Sequence, residues 1–316
     1  MHQTVAKHAA MPSGPSRHTE RMGTVTIRPV APACGAEVTG LDLRDLIDLA
    51  DPADATMTLV GRALAEHSVL FVRHQQLSPE QQRALTLRFG EVLRVPYIQP
   101  LAGHPDVIAV LKEADERNIS TFGGTWHSDF SFLDEPPSFT LLYAVDVPEV
   151  GGDTLWASQY AAYDTLSTGL RRLLDPLRAV QTAWPHGTSG PGPDSPVSRS
   201  VVMTRNDPSA DREVLQPVVR VHPVTGRRAL YANPVYTQRF EDMTAAESGP
   251  LLQHLFAHAT RAELTCRLRW TPGTLAIWDN RCLLHLAVND YDGRRRLLHR
   301  TTVAGERPVG PPRDLS

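Results

Sequence analysis

Two of the thirteen histidines in this chain stand two residues before an aspartate, in His127-Ser128-Asp129 and in His104-Pro105-Asp106. In a β-strand the side chains at positions i and i+2 point to the same side, so this spacing places an imidazole beside a carboxylate. Two imidazoles and one carboxylate occupy one face of an octahedral Fe(II) ion and leave the other face open for O2 and a chelating co-substrate. The pattern therefore predicts an iron site if a second histidine lies nearby.

The tripeptide alone is a weak signal, because about one His-x-Asp is expected by chance in a chain of this composition. Pro105 removes a backbone donor and favours a turn, so we prefer the pair at 127 and 129. His285, in WDNRCLLHLAVND, is the best placed second histidine. The remaining candidates are expected to be core, pocket or element-end residues: His67, His74, His186, His222, His254, His258 and His299.

Two longer blocks surround these residues, TWHSDFSFLDEPPSFTLLYAVDVPEVGGDTLWAS and LAIWDNRCLLHLAVNDYDGRRRLLHRTTVAGERP. They resemble the two signature blocks of the taurine dioxygenase family of Fe(II)/2-oxoglutarate oxygenases, which also includes phenoxyacetate-herbicide dioxygenases and alkylsulfatases. The segments GAEVTGLDL, HSVLFVRHQ and SPEQQRALTLRFGE are similar to the same family. The resemblance therefore covers the chain from about Thr24 to Pro308.

The resemblance implies which residues hold the metal and the co-substrate. The residues that match the iron ligands, and so the catalytic centre, are His127, Asp129 and His285. Thr154 matches a hydroxyl that bonds a carboxylate of 2-oxoglutarate, and Arg296 matches the guanidinium that binds its C5 carboxylate. The planar fork of arginine suits bidentate carboxylate binding. Trp278 matches an aromatic residue that lines the same pocket.

The substrate side of the resemblance centres on Arg300, which matches an arginine that reaches the anionic group of the substrate. Val95 and Ile98 stand where the taurine enzymes carry a histidine and a tyrosine, and Gly123 replaces an asparagine. These differences argue against taurine and favour a larger apolar molecule that bears an acid group. The residues expected to contact it are Arg300, Phe130, Tyr97, Val95 and Ile98.

The implied reaction is hydroxylation of an unactivated C–H bond, with release of succinate and CO2. Two roles stay open. The altered pocket favours tailoring of a secondary metabolite such as a terpenoid, and the alternative is catabolic cleavage of a sulfonate, an alkyl sulfate or an aryloxy acid. A non-enzymatic jelly-roll protein would have lost a metal or co-substrate residue, and a cupin-type enzyme without 2-oxoglutarate has no reason to keep Thr154 and Arg296 together.

Composition argues against other classes of function. Thirty-two Lys and Arg balance 35 Asp and Glu without a basic block, so no nucleic-acid partner is expected. No apolar run approaches the length of a membrane span, and three cysteines without C-x-x-C spacing suit a reducing cytoplasm. The expected partner is a small-molecule substrate, and a homodimer or homotetramer is compatible with the sequence.

Many short apolar strands with few helices predict a mainly β fold with α insertions. The family resemblance implies a double-stranded β-helix, or jelly roll, flanked by helices. Helices are predicted at 55–67 and from Pro79 to about Arg88, where Ser78 and Gln81 form a capping box. The predicted organisation is a disordered tail at 1–22, one oxygenase domain at 23–308 with a mobile loop and candidate lid at 186–200, and a C-terminal tail at 309–316.

Overall fold

The computed structural model describes residues 18–47, 54–191 and 199–312. Within these ranges the strands are β1 (Glu20–Met22), β2 (Val25–Pro29), β3 (Ala36–Thr39), β4 (Val69–Val72), β5 (Ile108–Lys112), β6 (Phe139–Asp146), β7 (Thr154–Ser158), β8 (Arg178–Gln181), β9 (Val214–Pro217), β10 (Val219–Val221), β11 (Arg228–Leu230), β12 (Thr237–Phe240), β13 (Thr265–Leu268), β14 (Leu275–Asp279), β15 (Leu283–Ala287) and β16 (Arg296–Thr302). The α-helices are α1 (Leu43–Ile47), α2 (Ala55–His67), α3 (Pro79–Leu87), α4 (Gln159–Asp164), α5 (Thr168–Leu174) and α6 (Ala245–Ala259), with short 3-10 turns at Trp184–His186, Pro208–Asp211 and Ala262–Leu264.

The strands form one large sheet and three small ones. The large sheet has the order β1-β2-β3-β4-β14-β6-β16-β5, and one small sheet has the order β13-β7-β15. These two sheets face each other across a shared core, where Trp156 of β7 packs 5.2 Å from Phe71 of β4 and 5.7 Å from Trp278 of β14. The other small sheets are β12-β8-β9 and β10-β11. The result is a two-sheet sandwich with helices outside.

The central strands are buried on both faces, and their side chains alternate between two cores. On β6, Leu142 faces the core between the sheets, whereas Leu141 packs toward the helices. On β14, Trp278 faces the core between the sheets and Ile277 packs toward the helices. This period of two explains why the strand sequences are apolar throughout, and it aims every second residue at the space between the sheets.

The helices on the outer face begin where the sequence predicts. The Ser78 hydroxyl accepts a hydrogen bond from the Gln81 backbone N–H, the Gln81 side-chain oxygen accepts one from the Ser78 backbone N–H, and Pro79 occupies the first turn of α3. Such a capping box contributes about 1 kcal/mol. The predicted helix at 55–67 matches α2. No helix in the described part of the chain is long and apolar enough to cross a membrane.

The ordered chain extends beyond the predicted domain limits at both ends. Strand β1 (Glu20–Met22) lies before Gly23 and pairs antiparallel with β2. At the other end the carbonyl of Val309 accepts a hydrogen bond from Val221, so the segment after Pro308 is still attached to the fold. Residues 192–198 of the candidate lid and the tail residues 1–17 and 313–316 lie outside the described residues.

Candidate active site

His127, Asp129 and His285 come together between the two facing sheets. The backbones of His127 and His285 exchange hydrogen bonds of 3.1 and 2.8 Å, and their ring centroids lie 4.2 Å apart. Oδ1 of Asp129 lies 3.6 Å from Nε2 of His127 and 3.7 Å from Nε2 of His285. His127 and His285 are more than 150 residues apart in sequence, yet the three side chains face one point.

The backbone that carries the His-x-Asp pair is not the strand that we predicted. His127 forms only an isolated bridge to His285, and Asp129 lies in a turn in which Phe130 has a φ of +44°. The prediction of a strand is wrong because pairing stops at His127. The turn nevertheless brings the carboxylate beside the imidazole.

Hydrogen bonds around His127 and Asp129 leave a lone pair on each directed at the position of a metal, and Nδ1 of His285 has no hydrogen-bond partner among the described residues. Nδ1 of His127 lies 2.7 Å from the carbonyl of Thr125, which can only accept, so this nitrogen carries the proton and Nε2 is free. The hydroxyl of Thr140 donates to Oδ2 of Asp129 at 2.7 Å, and Oδ1 faces the histidines. Three convergent ligand atoms within 4.8 Å of one another fit the face of an Fe(II) ion.

The charges in the site support the same protonation states. Burial lowers the pKa of His285 to about 3, and the neighbouring imidazole of His127 acts in the same direction. Burial opposes ionisation of Asp129, but the Arg300 guanidinium and the two imidazoles outweigh it and hold the pKa of that carboxyl below its ordinary value. A neutral histidine and an ionised aspartate are the forms that bind metal.

A chain of hydrogen bonds behind the carboxylate orients it. The indole of Trp278 donates to the Asn280 side chain at 2.9 Å, and the Asn280 amide donates to the hydroxyl of Thr140 at 2.9 Å. Thr140 then donates to Asp129. The Trp278 ring also packs 4.8 Å from the His285 ring. Sequence reasoning missed Asn280 and Thr140, although the first lies in the WDN motif that contains Trp278.

The predicted co-substrate residues line one cavity with two of the predicted metal ligands, His127 and His285. Arg296, Thr154, Trp278 and Arg300 surround it together with His127 and His285. Strand β16 sends Arg296 and Arg300 to the same side, as their spacing predicts, and both are buried. Arg296 donates from Nε to the carbonyl of Gly152 at 2.9 Å, which fixes the direction of its guanidinium.

The hydroxyl of Thr154 is prepared to donate to a ligand. It accepts from the Trp270 indole at 3.0 Å and from Nη2 of Arg296 at 3.4 Å. Because a hydroxyl carries one proton and two lone pairs, its proton remains for another acceptor. A carboxylate oxygen beside Arg296 would receive bonds from both side chains.

The predicted substrate residues are spread over different surroundings. Val95 and Ile98 line a cavity of ≈ 220 Å³ that also includes Arg300. Phe130 is buried, with its ring 5.0 Å below the Arg300 guanidinium. Tyr97 does not line these cavities, and its ring stacks on that of His186 with centroids 5.0 Å apart.

A larger cavity of ≈ 360 Å³ opens beside His127, and sequence reasoning did not identify most of its lining. Its walls include Tyr236, Met203, Arg205 and His186. These residues come from loops distant in the sequence and carry no periodic pattern, and only His186 was noted as a pocket candidate. The volume lies at the small end of the range for ligand sites in proteins.

A second group of potential metal ligands, His222, Asp279 and Cys282, is already saturated with protein contacts. The Arg281 guanidinium binds both oxygens of Asp279, at 2.8 and 2.6 Å, and Nε2 of His222 lies 3.0 Å from Oδ2. Nδ1 of His222 accepts from the backbone of Val224 and Thr225. With both nitrogens and both oxygens in use, this cluster is a buried ion-pair network.

Comparison with known proteins identifies the architecture. A family model described as "Taurine catabolism dioxygenase TauD, TfdA family" matches residues 26–302. The chain belongs to this family. The α-ketoglutarate (2-oxoglutarate)-dependent sulfate ester dioxygenase of Pseudomonas putida is 35% identical over 92% of this chain and 93% of that protein. The alkylsulfatase of Acinetobacter baylyi is 32% identical over 92% and 91%.

Solved structures of family members share the fold. A taurine dioxygenase from Burkholderia xenovorans superposes with a TM-score of 0.74 at 34% identity and covers 91% of this chain and 93% of that one. The structure of AAD-2 in complex with Mn(II) and N-oxalylglycine has a TM-score of 0.70 at 29% identity, over 90% and 99% of the two chains. The predicted double-stranded β-helix is confirmed.

Family membership settles the class of reaction. The chain is a 2-oxoglutarate-dependent dioxygenase that uses Fe(II), 2-oxoglutarate and O2. Several relatives are named for action on sulfate esters, sulfonates and aryloxy acids. These names support the catabolic alternative better than the secondary-metabolite role that the sequence favoured. The assignment of individual residues to the metal, the co-substrate and the substrate remains our proposal.

Proposed function

We propose that this enzyme oxidatively cleaves an organic sulfate ester. The observation that carries the proposal is the position of Arg300, a buried cation 3.0 Å from Oδ2 of Asp129. Its Nε has no hydrogen-bond partner among the described residues. Because a buried N–H without a partner is costly, this donor is suited to an anionic group that arrives with the substrate.

The surroundings of Arg300 suit an anion attached to an apolar chain. The ≈ 220 Å³ cavity beside it has apolar walls at Leu93, Val95, Ile98 and Ile108, and its lining also includes the ion pair of Arg94 and Asp106. An alkyl sulfate combines one strong anion with apolar carbon, as these walls require. The names of the two bacterial relatives, a sulfate ester dioxygenase and an alkylsulfatase, point to the same chemistry.

The proposed reaction balances without a further reagent. Bound Fe(II), with 2-oxoglutarate and O2, supplies the oxidant for the C–H bond. One oxygen atom of O2 is inserted into a C–H bond of the carbon next to the ester oxygen. The other becomes part of succinate as CO2 leaves. The hydroxylated ester then breaks its C–O bond: the hydroxyl proton is lost, an aldehyde forms, and sulfate departs with the bonding electrons.

The protein's own contribution is to position and enclose the reactants. Arg296 and Thr154 would hold the distal carboxylate of 2-oxoglutarate, and His127, Asp129 and His285 would hold the metal. Arg300 would fix the sulfate, so that the adjacent carbon is the one presented for attack. The buried apolar surroundings exclude water from the site.

The second candidate is hydroxylation of an acid-bearing apolar molecule without cleavage, as in secondary-metabolite tailoring. The apolar positions Val95 and Ile98 favour it as much as they favour an alkyl sulfate. The α-ketoglutarate-dependent dioxygenase oryG of Aspergillus oryzae is 33% identical over 91% of this chain. The two candidates differ in whether sulfate is released.

A matched set of hexyl sulfate, hexanesulfonate and hexanoate separates these functions. We expect succinate, hexanal and free sulfate in equal amounts from hexyl sulfate. Arg300→Gln should abolish sulfate release, whereas Arg294→Gln, at an exposed position before β16, should not. Hydroxylated hexanoate without activity on the sulfate would establish the second candidate, and no turnover of hexyl sulfate would refute the first.

A further inference from the structure

Arg205 places a positive charge in the wall of the ≈ 360 Å³ cavity. Its Nη1 donates to the carbonyls of Pro185 and Pro191, both at 3.3 Å. Among the described residues it forms no ion pair with a carboxylate, unlike most arginines of this chain. Partial burial lowers its pKa, but an arginine remains charged at neutral pH.

The backbone under Arg205 is fixed by neighbouring segments. Thr204 donates its N–H to the carbonyl of Tyr97 at 2.8 Å, and its own carbonyl lies 3.0 Å from Nδ1 of His186. Met203 forms an isolated bridge with Ile98. In such an extended segment, Met203 and Arg205 point the same way, and both line the cavity.

His186 does not add a second charge. The Thr204 carbonyl can only accept, so Nδ1 of His186 carries the proton, and burial lowers the pKa of this imidazole. No aspartate or glutamate is among the described residues that line the cavity. Its remaining walls are largely apolar, with Phe122, Trp184 and Val235. Arg205 therefore sets the sign of the local potential, which favours an anion.

This cavity borders the proposed metal centre. His127, Phe122 and Gly123 line both it and the cavity that contains Arg296 and Arg300. The chain of a substrate anchored at Arg300 can extend either into the ≈ 220 Å³ cavity or past His127 toward Arg205. In the second case the two arginines would contact opposite ends of one substrate.

We propose that Arg205 binds a second anionic group of the substrate, at the end remote from the carbon that is oxidised. The preferred substrate class is then a dianion: an apolar chain with a sulfate ester at one end and a carboxylate or second sulfate at the other. This inference rests on the proposed function, because it takes the sulfate at Arg300 as the first anchor.

The test compares hexyl sulfate with its ω-carboxylate and ω-ammonium analogues. We expect kcat/KM of the wild type to be about tenfold higher for the ω-carboxylate than for hexyl sulfate. In Arg205→Gln the preference for the ω-carboxylate should disappear because KM for this substrate rises. Its kcat should stay unchanged, because the contact is remote from the reacting carbon. Arg205→Lys should keep part of the preference, and Arg205→Glu should turn it toward the ω-ammonium analogue.

The matched control is Arg212→Gln, since Arg212 is exposed, pairs with Asp134 and does not line the cavity. Equal kcat/KM for the three substrates in the wild type would overturn the inference, as would an equal loss on hexyl sulfate and the ω-carboxylate in Arg205→Gln.

If none of the three releases sulfate, the proposed function fails, and equilibrium binding of the same molecules decides about Arg205. Tighter binding of the ω-carboxylate that Arg205→Gln abolishes would support the subsite. Equal dissociation constants would reject it.

Discussion

Oδ2 of Asp129 lies 3.0 Å from Nη2 of Arg300, while Oδ1 of the same carboxylate faces both site histidines. The proposed substrate anchor and the proposed metal ligand are therefore in direct contact. With Thr140 also donating to Oδ2, one oxygen is held by the protein and the other is directed at the metal position. Such an arrangement favours coordination through a single carboxylate oxygen.

Loss of the Thr140 hydroxyl should weaken metal binding. Thr140→Val keeps the shape of the side chain but removes the donor to Asp129 and the acceptor for Asn280. We expect Fe(II) affinity to fall by about 10–100-fold, as for other groups that orient metal ligands. Anaerobic equilibrium dialysis measures this. Thr165→Val, at the end of α4, is the control, and equal affinities in both variants would contradict the proposed role.

A methyl group at Gly152 should impair 2-oxoglutarate binding. Gly152 has a φ of +69°, and an added Cβ would lie 3.0 Å from Cδ of Arg296. Gly226 has a φ of +68° with nothing within 4 Å of an added Cβ, so Gly226→Ala carries the backbone strain alone. We expect KM for 2-oxoglutarate to rise about tenfold in Gly152→Ala and to stay unchanged in Gly226→Ala. The same KM in both variants would show that Arg296 is not displaced.

Local sequence rules predicted the elements that depend on local contacts. The capping box of Ser78 and Gln81 and the i, i+4 spacing of Arg296 and Arg300 follow from bonds and geometry within a few residues. For this reason the helices predicted at 55–67 and from Pro79 lie where expected, as α2 and α3.

The parts that sequence reasoning missed depend on long-range packing. Asp129 reaches the histidines from a turn, and this turn is held by Asn280, more than 100 residues later, through Thr140. Arg205 and Tyr236 line the same cavity as His127 because separate loops close over it. The stacking of the Tyr97 ring on His186 likewise joins segments that are distant in sequence.

The cluster of His222, Asp279 and Arg281 should behave as a structural network without metal. Asp279→Asn removes the negative charge that pairs with the largely buried guanidinium of Arg281. We therefore expect a loss of about 3–5 kcal/mol in the free energy of unfolding. The control Asp134→Asn, in an exposed pair with Arg212, should lose under about 1 kcal/mol. Urea unfolding measures both. A lower Fe(II) stoichiometry in a folded Asp279→Asn variant would contradict this account.

Buried histidines should make the protein less stable in mild acid. Burial lowers the pKa of His67, which ends α2 and whose Nδ1 has no partner among the described residues. Below the ordinary histidine pKa of about 6.5 the unfolded chain binds a proton that the folded form resists, so stability falls as the pH decreases. Urea unfolding between about pH 7.5 and 5.5 should show a shallower decline for His67→Gln. Parallel declines would rule out this contribution.

If His127, Asp129 and His285 together bind the iron, each of them is required for tight Fe(II) binding, which anaerobic titration in the presence of 2-oxoglutarate measures. We predict one tightly bound Fe(II) per chain in the wild type and in His222→Gln. Each of His127→Ala, Asp129→Ala and His285→Ala should lose that binding while remaining folded by circular dichroism. Tight binding that survives in any of these three variants would contradict the account.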